Sequence, residues 1–127
     1  MTQPDGKKSS LAKAFGYAFS GIAAASRERN FRIELCFAVA AIVLGFAFQI
    51  SLPEWLAVVI CIGAVLGLEC INTALEAVVD IASPDFNPLA GRAKDCCAGA
   101  VLIMSIAAFI VGFVLFAPRL LALVGLW

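Results

Sequence analysis

The chain has 127 residues, 63% of them hydrophobic and 14% charged, with a mean hydropathy of +1.02. One domain of this length cannot hide so much apolar surface from water, so its bulk solvent is lipid and the composition predicts an all-α integral membrane protein. Nine basic residues balance nine acidic ones, which gives no footprint for nucleic acid; the absence of histidine excludes Ser-His-Asp and Cys-His catalysis together with His-containing zinc sites.

Residues 1–127 read as a single domain. Met1 to Ser10 is polar and lacks the short apolar core of a secretory signal. Over about 10–28, Leu11, Phe15, Ala18, Phe19 and Ile22 recur at helical spacing, with Ser9 or Ser10 available to cap the start. This predicts an amphipathic helix lying on the cytoplasmic membrane surface. Three stretches follow that each approach the roughly 20 helical residues a bilayer core requires. The first, 33–50, carries Glu34 and Gln49 near its ends. Ser51-Leu-Pro-Glu54 forms a short connection whose proline suits the start of the next helix. The second span, 55–79, holds Glu69, Asn72, Thr73 and Glu76 in its later half. Turn chemistry returns over 80–94 with Pro84, Asn87, Pro88 and Gly91, and the third span, 96–116, has Ser105 as its only polar side chain besides two cysteines.

Basic residues set the orientation. Lys7, Lys8, Lys13, Arg27, Arg29 and Arg32 precede the first span, Arg92 and Lys94 lie in the second loop, and the first loop has none. Only Arg119 follows the third span, so the N-terminus is predicted inside and the C-terminus outside. Cys36, Cys61, Cys70, Cys96 and Cys97 form no C-x-x-C pair and read as small polarizable packing residues.

Glu69, Asn72, Glu76 and Asp80 fall within an arc of roughly 80° on the second span. A charged group at mid-span costs on the order of 2.5–3.5 kcal/mol to insert, so such a stripe points to function rather than packing. Two further polar clusters, Arg27 to Glu34 and Arg92 to Asp95, enter the membrane from the same side. Carboxylates beside a lysine at a cytoplasmic boundary suit magnesium-bound polyphosphate, the carboxylates for Mg²⁺ and the ammonium for phosphate. No phosphate-binding glycine loop is present, so the chain matches none of the soluble kinase designs. Gly63 and Gly67 read as a helix-contact pair. Three spans enclose a polar stripe poorly, and an oligomer is expected. A non-enzymatic ion or proton conductor is the competing reading, but its outer half would also need polar residues.

The run Glu69-Cys-Ile-Asn-Thr-Ala-Leu-Glu-Ala-Val-Val-Asp80 resembles the signature of the prokaryotic diacylglycerol kinase family of small membrane lipid kinases. Glu28-Arg-Asn-Phe-Arg32 and Ala93-Lys-Asp-Cys-Cys-Ala-Gly-Ala-Val-Leu102 are similar to its other two blocks in order and spacing. The resemblance implies a bacterial inner-membrane homotrimer, each protomer with three transmembrane helices and a surface helix, whose composite sites at the cytoplasmic face use MgATP to phosphorylate a lipid hydroxyl. It implies Glu69 as general base with Asn72 beside it, and Glu28 and Glu76 as holders of Mg²⁺ and the phosphates. It also implies nucleotide contacts at Tyr17, Asp85, Phe86, Asn87, Lys94 and Asp95, and lipid contacts at Asn30, Arg32, Glu34, Glu69 and Ala98. Ser51 to Trp55, Asn72-Thr-Ala, Ala98-Gly-Ala-Val and Phe116-Ala-Pro-Arg119 resemble the branch that phosphorylates undecaprenol, with diacylglycerol as the alternative acceptor. Glu34 and Asn87 depart from that branch, which usually has histidine at both places.

Overall fold

The computed structural model describes residues 10–125, so Lys7, Lys8 and the candidate cap Ser9 lie outside the described residues. Four helices account for nearly all of this length: α1 (Leu11–Ala25), α2 (Arg29–Ala47), α3 (Leu52–Ala82) and α4 (Pro88–Leu123). Three of them, α2, α3 and α4, are long and apolar enough to cross a membrane. Ser10 occupies the cap position of α1, but its side chain makes no capping bond.

The helices overrun the predicted spans, except at the end of α2. That helix stops at Ala47 rather than Ile50, because the chain turns in a Schellman motif. Ile50 N–H donates to Gly45 O at 3.1 Å and Gln49 N–H to Phe46 O at 3.2 Å, with Gln49 in the left-handed region at φ 48°. Gly45 gives the Trp55 ring room to close this corner. A Cβ there would lie 2.7 Å from the Trp55 ring, which packs tilted on Phe46 with centroids 4.8 Å apart. α3 then starts at Ser51, where Glu54 Oε2 accepts from Ser51 N–H at 2.7 Å and from Ser51 Oγ at 2.8 Å. Pro53 sits in the first turn, where its missing N–H leaves nothing unpaired.

α4 differs more. It begins at Asn87, whose Oδ1 accepts from Leu89 N–H at 2.9 Å, and it continues past Phe116 through Pro118 to Leu123. Arg119, one residue on, reaches Glu54 of α3 at 2.8 Å and also donates to Leu115 O at 2.6 Å.

α3 and α4 pack along most of their length, α2 leans on α3, and α1 rests mainly against α3. Two ion pairs fix the antiparallel register of α3 and α4: Lys94 with Asp80 at one end, and Arg119 with Glu54 at the other. The tight core lies at the Arg119 end, where Ile50, Val58 and Phe116 are buried against Leu44, Phe48 and Trp55. α2, with 19 residues, is about 28 Å long and matches a bilayer core of about 30 Å. α3 has 31 residues and projects beyond the start of α2, and α1 packs there. Leu11, Phe15, Phe19 and Ile22 of α1 are all exposed. All five cysteines are free thiols.

Candidate active site

The start of α2 meets the middle of α3 in a polar cleft of about 230 Å³, lined by Glu28, Arg29, Asn30, Glu69, Asn72 and Glu76. The α3 contribution follows from the stripe spacing, since residues three, four and seven apart share a helix face. Glu28 and Asn30 arrive because α2 begins at this level, with Glu28 as its cap residue. Three carboxylates and one guanidinium therefore face a common volume.

Among the described residues, Glu69 and Asn72 are the buried polar ones, only 2% and 7% exposed. Asn72 Nδ2 donates to Glu76 Oε1 at 3.2 Å, which orients the amide toward its neighbour one turn on. Thr73 Oγ1 donates to Glu69 O at 3.0 Å. Glu69 Oε2 and Asn72 Oδ1 are buried without a hydrogen-bond partner. Unpaired buried acceptors are expensive, and they mark a place where a donor or a cation belongs. Among the described residues no three His, Cys, Asp or Glu side chains converge to hold an ion alone. Mg²⁺ does not require that: it is commonly held by one or two carboxylates together with substrate phosphates. The oxygen-only donors of this cleft fit it.

A second space opens directly from the cleft. An apolar groove of about 890 Å³ runs along α3 between α2 and α4, with Asn30, Glu69, Asn72 and Glu76 at its polar end. Glu34 and Ala98 line it as well. Ser105 Oγ on α4 donates to Glu34 Oε1 on α2 at 3.1 Å, and Glu34 Oε2 is buried and unpartnered.

The structure thus brings Glu28, Asn30, Glu69, Asn72 and Glu76 to one cleft, with Glu34 and Ala98 along the adjoining groove. The remaining predicted residues lie elsewhere in this protomer. Tyr17 is 48% exposed on α1, Arg32 faces outward on α2, and Asp95 is exposed on α4. Lys94 is engaged by Asp80 rather than by the cleft. Asp85 and Phe86 occupy the open α3–α4 connection, and Asn87 caps α4. Two contributors escaped the sequence reading. Arg29 reads in the sequence as one more of the basic residues that set the orientation, and Ser105 carries no sign of its partner. A lone hydroxyl in α4 and a lone carboxylate in α2 were the available signal.

A family model described as prokaryotic diacylglycerol kinase matches residues 16–116. The chain is 38% identical over 109 residues to an undecaprenol kinase of Bacillus subtilis, covering 85% of this chain and 89% of that one. It is 41% identical over 115 residues to a diacylglycerol kinase of Synechocystis, covering 89% of this chain and 66% of the relative. A diacylglycerol kinase of Escherichia coli is 35% identical over 101 residues, 79% of this chain and 83% of its own. The match contains the whole cleft and the groove as far as Phe116, and so the chain belongs to the prokaryotic diacylglycerol kinase family.

Proposed function

We propose that this membrane lipid kinase transfers the γ-phosphoryl of ATP to undecaprenol, giving undecaprenyl phosphate and ADP. The observation that carries the reading is Glu69: a buried carboxylate, one oxygen unpartnered, at the junction of a polar cleft and an apolar groove. A lipid alcohol has the same two-part character. Its hydroxyl belongs with the carboxylates and its tail with the hydrocarbon side.

In this reading the acceptor hydroxyl donates to Glu69 Oε2. Glu69 takes the proton as the hydroxyl oxygen attacks the γ-phosphorus, and the bond to the ADP oxygen breaks. Asn72 holds Glu76 through its amide, and its own carbonyl oxygen is buried and free to accept. Glu28 and Glu76 would hold Mg²⁺, which when bound supplies charge neutralisation for the phosphates. Lys94 reaches the nucleotide by exchanging its contact with Asp80 for phosphate oxygens, a swap between partners of like charge.

The assembly is a homotrimer in the bacterial inner membrane with the cleft at the cytoplasmic face. The exposed apolar residues of α2 and α4 support further helix contacts, and the exposed stripe of α1 supports its lying on the headgroup layer. The basic residues clustered before α2 support the orientation.

The test is transfer from radiolabelled ATP to undecaprenol and diacylglycerol offered side by side in mixed micelles. Preferred labelling of undecaprenol is the expected result. Preference for diacylglycerol would assign the chain to the function named for its Synechocystis and Escherichia coli relatives.

A further inference from the structure

Three arginines surround the start of α2, and one of them lines the cleft. Arg29 stands there beside Glu28 and Asn30, whereas Arg27 and Arg32 line neither the cleft nor the groove. The way the chain arrives makes this selection. Ser26 N–H donates to Ile22 O and Glu28 N–H to Ala25 O, each at 2.9 Å, so the turn from α1 closes on its own backbone. Ala25 before the turn and Phe31 after it are buried. Anchored on both sides, the first residue of α2 keeps a fixed place beside the cleft.

The guanidinium is also uncommitted. Glu28, Glu69 and Glu76 share the cleft with it, yet among the described residues Arg29 forms no ion pair. Lys94 is held by Asp80 outside the cleft. The Glu28 side chain makes no capping bond, so the first amides of α2 add partial positive charge at the same level. Glu69 Oε2 and Asn72 Oδ1 lack donors in the same cleft where Arg29 lacks an acceptor. A hydroxyl meeting a phosphoryl group supplies both.

Resting on the lipid kinase reading, we infer that Arg29 is a catalytic residue that grips the γ-phosphoryl group during transfer. Its forked N–H groups donate to two of the three oxygens that stay on the phosphorus, while Glu69 holds the attacking hydroxyl. The acceptor oxygen–phosphorus bond forms as the bond to the ADP oxygen breaks. The hydroxyl proton goes to Glu69, and none moves to or from Arg29. Negative charge spreads over the phosphoryl oxygens in the transition state, where a fixed guanidinium contributes most. A lysine would supply the charge without the two-point grip.

The experiment compares full-length native, Arg29→Gln, Arg29→Lys and Arg27→Gln proteins in mixed micelles. It measures transfer kinetics, and equilibrium binding of ADP and of a non-hydrolysable ATP analogue in the presence of Mg²⁺. Arg29→Gln should lower kcat by about 10²-fold and Arg29→Lys by about tenfold, with Arg27→Gln near native. The ATP analogue should bind Arg29→Gln more weakly while ADP binding holds, because only the analogue carries a γ-phosphoryl group. A near-native kcat in Arg29→Gln would overturn the inference and leave the kinase reading intact. Equal weakening of both nucleotides, or an equal loss in Arg27→Gln, would also overturn it by making the effect one of general charge. No transfer from the native protein to any lipid alcohol would instead overturn the kinase reading.

Discussion

Glu34 on α2 and Ser105 on α4 are joined by a 3.1 Å hydrogen bond across the groove, with Glu34 Oε2 left unpartnered on its buried side. Helices α2 and α4 touch little else, so one hydroxyl sets where a carboxylate stands beside the apolar groove. Replacing Glu34 by His removes a carboxylate charge from the edge of a hydrocarbon space while retaining a group able to bond Ser105. The expected outcome is a shift of the acceptor ratio further toward undecaprenol, by at most about tenfold, or about 1.4 kcal/mol. Competition between undecaprenol and diacylglycerol in mixed micelles measures it.

Glu69→Gln keeps the shape of the buried side chain but removes its ability to accept a proton. Transfer should fall by about 10²–10⁴-fold, the usual contribution of a positioned base, while nucleotide affinity holds. Turnover and ATP-analogue binding measured on one preparation separate the two effects. Near-native turnover would remove Glu69 from the base role.

Glu28→Gln and Glu76→Gln should each raise the Mg²⁺ concentration needed for half-maximal nucleotide binding. Because Glu69 and Glu76 line the same cleft from one helix, mixing inactive Glu69→Gln and Glu76→Gln protomers should restore no activity. Recovered activity in mixed oligomers would place the two side chains in different sites.

The corner between α2 and α3 should respond to substitution in opposite directions at two neighbouring positions. Gly45→Ala puts a methyl 2.7 Å from the Trp55 ring and should destabilise by about 1–3 kcal/mol. Gln49→Gly relieves a left-handed backbone at φ 48° and should stabilise by up to about 1 kcal/mol. Thermal inactivation midpoints in detergent provide the comparison.

The helical spans and the acidic stripe were legible because both depend on local periodicity: a run of apolar residues and a repeat of three, four and seven. The meeting of Glu28 with Glu69 and Glu76 came from the family blocks, since nothing in the spacing along the chain fixes where α2 lands on α3. Helix ends were less readable. Ile50 looks like span, yet it folds back to satisfy Gly45 O, a choice made by backbone hydrogen bonds rather than by hydropathy. Pro118 looks like a terminator, yet α4 continues through it to Leu123, with Arg119 tied to Glu54 across the helix pair. Ser105 and Glu34 are far apart in sequence, and a partnership of that range leaves no periodic trace.

The four residues between α2 and α3, Phe48 to Ser51, carry no charge, and their turn closes on its own backbone and on Glu54. The charge at this corner is the Glu54 carboxylate itself, which closes the turn with one oxygen and meets Arg119 with the other. The guanidinium therefore serves two helices at once: it fastens α4 beyond Pro118 and neutralises the group on which the α2–α3 hairpin closes, so its loss would loosen the corner as well as the helix pair.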